Sequence, residues 1–349
     1  MDSVGSILIT LGVASIVLCI GTLLRAKVKV IGNMLIPASV LGGLLGFIIM
    51  NIATNYGINL GMDYSLNSEI TNHLFTLSFI SIALTSTAEG GKKAAKNVLQ
   101  GSVGMGIVWS LLFALSALAG ALIIMLIGEF FDMNVTYGML IPYAFTQGPG
   151  QSAAIGSIYE TFGWENAAMV ALAFAAIGFL VAFIVGVPAA KLGIKRRHAK
   201  HCKEIVPYVS RGYYKKEEQT EKIIRDTTYS GNIETLSIHI AVIGVCYMLA
   251  LGFAQLFSLI PGFFGTTMSG MMFANGMLAG YLVKWMMKKL KISFLLNRDQ
   301  QSKITNLTTD YLIVTAFMAV SFRILGEWII PILVVSAVVS VITFIVCFY

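Results

Sequence analysis

Apolar residues run along this chain in blocks of about twenty, without the strict alternation of a half-buried strand. The blocks fall at residues 5–24, 34–52, 98–128, 167–192, 236–257, 266–283, 304–322 and 326–349, with a shorter, more polar one at 73–87. Each long block suffices as a helix to cross roughly 30 Å of hydrocarbon. The pattern predicts an all-α, polytopic membrane protein of about nine transmembrane helices. Residues 138–163 break the pattern: two mostly apolar pieces flank Thr146-Gln147-Gly148-Pro149-Gly150-Gln151-Ser152.

Composition agrees, with 57% hydrophobic and only 12% charged residues in 349 and a mean hydropathy of +0.81. An ordinary soluble domain carries about twice that charge. The net charge of +7 raises nucleic acid as a partner, but the placement of the charges answers against it. Of 24 Lys and Arg, all but Arg323 fall in clusters at residues 25–29, 92–96, 191–225 and 284–303. Basic residues gathered in alternate loops are the positive-inside signature. Threading each cluster inside puts the N-terminus outside, as an uncleaved first span, and places Asp63, Glu69, Glu129 and Asp132 in outer loops without a Lys or Arg.

On this threading residues 138–163 start and end outside, forming a re-entrant loop whose irregular tip must be sheltered by protein or a water-filled cavity. Residues 195–235, with ten Lys or Arg against six Asp or Glu, form a cytoplasmic linker between a first repeat at 1–194 and a second at 236–349. The halves start on opposite sides, which predicts an inverted repeat. Gly42, Gly43 and Gly46 in the second block echo Gly270, Gly276 and Gly280 in the seventh, and residues 79–84 echo 316–321. The second half has no counterpart of the Gly-rich loop and final span. The expectation is therefore a truncated second repeat, in a chain that is incomplete or works with a partner.

The tip at Gly148-Pro149-Gly150 carries the strongest candidate chemistry. A helix broken in the membrane exposes N–H groups at one end and carbonyls at the other, able to hold an anion and a cation. Thr146, Gln147, Gln151 and Ser152 add neutral hydrogen-bonding groups; a tight turn between buried helices is the alternative. Asp310, after Thr308 and Thr309, is the acidic residue set well inside a span, about two turns from the inner basic cluster, so it is a cation or substrate ligand or a partner for Lys303. Asn275 is a further candidate or a bridge between helices. Pro37, Gly42 and Gly43 mark a possible helix break or a packing face. Glu160 and Glu165 suit helix capping, and His73 and His239 interfacial positions. His198 with His201, and the four scattered cysteines, make no metal site or disulfide framework. No catalytic motif appears, so an enzyme is the minor reading.

The residues also resemble a known family. Ile36, Pro37, Val40, Gly42 and Gly43 match the opening of span two in bacterial sodium/glutamate symporters. Glu160, Gly163-Trp164, Asn166-Ala167, Val170-Ala171, Gly178, Gly186, Pro188 and Ala190 match the stretch after their first loop, and Asn306 and residues 316–318 also fit. The chain departs from that pattern at 147–150, where the family reads Gly-Gly-His-Gly, and at Asp310, where a small hydroxyl residue is usual. The resemblance implies a bacterial inner-membrane homodimer, without a cofactor, that imports glutamate or a similar anionic amino acid with sodium by alternating access. The rival expectation is a non-transporting or partner-dependent membrane subunit.

Overall fold

A computed structural model describes residues 3–85, 92–196, 206–219 and 226–348. His198, His201, Cys202 and part of the basic linker lie outside these. The described residues form helices and no strand. We label the main helices α1 (Ser3–Lys27), α2 (Ala38–Asn55), α3 (Tyr64–Thr85), α4 (Lys92–Ile127), α5 (Ile141–Gln147), α6 (Pro149–Thr161), α7 (Ala167–Val181), α8 (Thr235–Ser258), α9 (Phe263–Gly270), α10 (Met272–Lys289), α11 (Arg298–Met318) and α12 (Phe322–Phe348). A π-helical turn, Ala182–Gly186, carries α7 on into Val187–Lys195.

Among the described residues, six helical stretches are both long and apolar enough to cross a membrane: Ser3–Lys27, Ala38–Asn55, Leu99–Phe131, Ala167–Lys195, Thr235–Ser258 and Trp328–Cys347. Helices α3, α10 and α11, of 22, 18 and 21 residues, are long but more polar. Their polarity follows from their position. α3 and α11 cross at the centre of the molecule and α10 lies along α3, so their polar side chains meet protein. Thr71 Oγ1 and Thr315 Oγ1, both fully buried, lie 2.8 Å apart, and Ser81 Oγ lies 2.8 Å from the Gln301 carbonyl oxygen, to which it can donate. Several hydroxyls here also bond the carbonyl one turn back, as Thr76 does to Asn72, which satisfies them without an outside partner.

α1 packs along α2 and α8 along α10; α2 lies on α11 and α10 on α3; α4 pairs with α12. Exchanging α1, α2, α3 and α4 for α8, α10, α11 and α12 leaves that set of pairings unchanged. The close approaches obey the same exchange. Gly43 and Gly46 of α2 face Phe317 and Met318 of α11, while Gly276 and Gly280 of α10 face Ile80 and Ala83 of α3. Between α1 and α2 the backbones nearly touch: a Cβ on Gly42 would lie 2.8 Å from the Val17 carbonyl oxygen. A second body of buried apolar residues, including Leu140, Ala171, Phe174 and Val335, joins α7 to α12 and to the segments before and after Gly148.

Three expectations need correction. α2 runs unbroken through Gly42 and Gly43, so these are packing positions; Pro37 caps its start after an irregular turn in which Leu35 has φ 55°. His239 faces neither solvent nor lipid. It is 1% exposed, and its Nε2 accepts the Asn297 N–H at 2.7 Å, which places the ring proton on Nδ1, 2.6 Å from the Thr235 carbonyl. His73 sits in the middle of α3, with Nδ1 2.6 Å from the Tyr247 hydroxyl.

The described part of the linker folds back on the first helices. The Arg25 guanidinium donates to the Val209 carbonyl at 3.0 Å, and Lys191 donates to the Asn33 carbonyl. Arg211 pairs with Glu218 at 2.5 Å, and its guanidinium, followed by the Lys215 N–H, holds the Glu218 carboxyl below the usual glutamate range.

Two measurements follow. Gly42→Ala should lower stability by about 2 kcal/mol through overpacking, whereas Gly12→Ala, facing open space, should be neutral or stabilise by up to about 1 kcal/mol; thermal midpoints in one detergent compare them. Because the Glu218 carboxyl is depressed in the fold, its pairing is complete above the unfolded glutamate value, about 4.3, and is lost as pH falls through the lower folded value. Carbon-13 NMR of the Glu218 carboxyl should therefore give a midpoint below that of a free glutamate, and Arg211→Gln should raise it.

Candidate functional site

The site begins with two prolines and a glycine. Pro142 opens α5 and Pro149 opens α6, each where a missing N–H costs no helical hydrogen bond. Between them Gly148 adopts φ 83° and ψ −173°, a conformation open in practice to glycine alone. Its N–H still donates to Ala144, ending α5, and its carbonyl accepts the Ser152 N–H at 3.1 Å and hydroxyl at 3.0 Å, starting α6. The chain thus stops one helix and starts another at a single residue.

Polar groups collect at this break. Thr146, Gln147, Gly148 and Gln151 are half-buried, and Pro149, Gly150 and Ser152 are buried. Thr146 donates to the Pro142 carbonyl at 2.6 Å. Gln147 Oε1 is shielded from solvent and has no hydrogen-bond partner, a state that costs free energy unless a ligand or water fills it.

Helix α3 links the break to the other candidates. Gly150 lies against Phe75, so closely that a Cβ there would be 2.1 Å from the ring. One turn on, Ser78 Oγ is 3.5 Å from Thr309 Oγ1 of α11. Positions three apart share a helix face, so the tip and Thr309 approach α3 at adjacent positions. Phe75 also meets Phe79 at 4.6 Å and Phe273 of α10 at 5.1 Å, which brings the neighbourhood of Asn275 to the same face.

The remaining candidates divide. Thr308 is buried, but its hydroxyl is turned to the Ile304 and Thr305 carbonyls of its own helix. Asp310 is not buried as expected. It is exposed, on a face of α11 shared with Lys303, Asn306 and Leu307, and among the described residues it forms no ion pair with Lys303. Asn275 bridges two helices: Nδ2 donates to the Met268 carbonyl at 2.9 Å, across a break at Met271 (φ −79°, ψ 62°) that separates α9 from α10. Asn275 Oδ1 and Thr267 Oγ1 are both buried there without a partner.

That second break went unread in the sequence, where residues 266–283 form one apolar block. Ser269-Gly270 was the available signal, but Met271-Met272-Phe273 continues the hydropathy across it. Phe75 and Ser78 gave no signal either, since only the fold shows them under the tip.

The tip makes a direct prediction. Gly150→Ala should lower the thermal midpoint by an amount equivalent to about 1–3 kcal/mol, and pairing it with Phe75→Leu should recover part of that loss. Gly148→Ala strains the backbone instead, so no partner substitution at Phe75 should rescue it.

No curated protein and no solved structure matches the chain. The family profile of sodium/glutamate symporters does match, over residues 5–349, nearly the whole chain and both helix breaks. The protein therefore belongs to the sodium/glutamate symporter family.

Proposed function

We propose that this protein imports glutamate or a closely related anionic amino acid by alternating access, coupled to sodium. Family membership supports sodium/glutamate symport across a membrane. The observation that carries the mechanism is the break at Gly148, with the unsatisfied Gln147 Oε1 beside a half-buried row of polar side chains. The substrate carboxylate would meet the N-terminus of α6, where N–H groups and the helix dipole favour negative charge. Gln151 would orient it, and Gln147 Oε1 and the Thr146 hydroxyl oxygen, both free to accept, would face the substrate's ammonium group. Asn275 Oδ1, Thr267 Oγ1 and the carbonyls freed at the Met271 break offer the oxygen-only ligands that a hard cation such as sodium requires.

Asp310 supplies the water path. It lies twelve residues into α11, about 18 Å along the axis, and a carboxylate exposed at that depth in lipid is prohibitive. Its face of α11 therefore lines an aqueous cleft leading from the basic end towards Ser78 and Thr309. We infer that the exchange-symmetric helix pairings reflect an inverted repeat, with units at 1–194 and 236–349 joined by the 195–235 linker. Rocking of one helix group on the other would then close this cleft and open the opposite one. The positive-inside rule supports an outer N-terminus and inner basic clusters, and a homodimer in the bacterial inner membrane fits the family resemblance.

Purified protein in liposomes with an inward sodium gradient tests this reading. Radiolabelled glutamate should accumulate and should stop accumulating when potassium replaces sodium outside. Gln147→Leu and Asp310→Asn should each cut initial uptake about ten-fold or more, equivalent to at least about 1.4 kcal/mol, while protein recovery stays unchanged. Sodium-independent uptake, or wild-type rates in both variants, would overturn the assignment.

A further inference from the structure

At the end of the molecule opposite the basic clusters, a cavity of about 610 Å³ is lined by Tyr137, Trp164 and Trp328 together with Glu129, Asp132 and Glu165. Among the described residues no Lys, Arg or His lines it. We propose that this cavity is a binding site for an organic ammonium ion, quaternary in preference to primary, separate from the break at Gly148.

Three features support the assignment. The rings form a corner: the Tyr137 centroid is 4.9 Å from Trp328 and 6.1 Å from Trp164, the second pair edge-on at 82°. The polar edges of two rings are tied to backbone, since the Tyr137 hydroxyl donates to the Glu165 carbonyl at 2.8 Å and Trp328 Nε1 donates to the Phe131 carbonyl at 3.0 Å. These bonds fix two of the three rings that line the cavity. Aromatic faces with carboxylates nearby recognise quaternary ammonium groups.

The backbone is distorted on both sides to build this corner. Trp328 has non-helical angles, φ −121° and ψ 17°, within α12, three residues before Pro331, whose missing N–H frees a carbonyl one turn back. Asp132 holds the left-handed conformation at φ 50°, ending the turn Gly128–Phe131 that offers the Phe131 carbonyl to Trp328. Interfacial tryptophans and tyrosines usually face lipid headgroups, but Tyr137 is only 7% exposed and belongs to the wall.

The charge suits a large cation better than a metal. Among the described residues no three Asp, Glu, His or Cys stand close enough to hold a metal ion. Glu165 also lines a neighbouring cavity of about 650 Å³ that contains Glu69, Glu160 and Ser68. The Ser68 hydroxyl, in a residue 7% exposed, has no hydrogen-bond partner. The negative field thus extends over both cavities and attracts a cation without chelating it.

Tetramethylammonium chloride titrated into the full-length protein in nanodiscs, with potassium chloride at equal ionic strength as control, tests the proposal. The chain has four tryptophans, two of them in this wall, so intrinsic fluorescence should change saturably with tetramethylammonium and not with potassium. A rise in thermal midpoint should accompany it. Glu165→Gln and Trp164→Leu should each weaken half-saturation about five- to ten-fold, within the range of a partly desolvated cation–π contact. Gln147→Leu, which removes the transport site proposed above, should leave this binding intact. A response identical for potassium, no saturable response, or unchanged half-saturation in both wall variants would overturn the proposal.

Discussion

The structure depends on hiding the polar crossing of α3 and α11 from lipid. Neither helix is apolar enough to stand alone in a bilayer, because each carries hydroxyl and amide side chains through its middle. Packed together they satisfy one another: Thr71 with Thr315, Ser81 with Gln301. The apolar helices then serve as an outer wall. The glycine faces of α2 and α10 let that wall close tightly on the crossing, Gly43 and Gly46 against α11 and Gly276 and Gly280 against α3. Buried hydrogen-bonded pairs of this kind favour one register over its neighbours, and a molecule that moves one helix group on another needs such a reference.

Buried polar atoms without a partner fall in two kinds of place. Asn67 Oδ1, Ser68 Oγ and Asn72 Oδ1 lie along α3 and Gln301 Nε2 on α11, whereas Gln147 Oε1 lies at one helix break and Asn275 Oδ1 with Thr267 Oγ1 at the other. The last three are acceptors beside interrupted helices. A break frees backbone groups only within its own turn, and a side chain left without a partner in the same turn adds to that local supply. The pairing of broken helix with unpaired acceptor recurs at Gly148 and at Met271, in segments of unrelated sequence. Packing the two breaks near opposite ends of α6, with Gly150 on Phe75 and Gly270 on Ile158, makes movement of α6 felt at both.

What the sequence disclosed follows from what hydropathy measures. Long lipid-facing helices such as α1 and α8 were legible because every side of them is apolar. The start of α3 was not: Asn67, Ser68 and Thr71 depress the average, so the apolar block begins near residue 73 although the helix starts at Tyr64. The break at Gly148 was legible because Gly-Pro-Gly changes the allowed backbone angles, whereas Met271 breaks its helix with residues that read as core. Asp310 was recognisable as unusual from position alone. Its exposure depended on which way α11 turns, and that is set by the glycine faces of α2, far away in sequence.

The same distinction explains why the acidic cavity escaped notice. Tyr137, Trp164 and Trp328 are spread over nearly two hundred residues, and each alone reads as an aromatic at a membrane boundary. Only the pairing of α4 with α12, with α12 docked on α7 and α4 on α5, brings them to one corner. Trp328 reaches it because Pro331 loosens the start of α12, a position where an unbroken helix would carry the ring to another face. A kink that looks like a defect in a spanning helix is thus the element that assembles the wall, and the hydrogen bond from Trp328 to the Phe131 carbonyl ties it to the segment that leads into the Gly148 break.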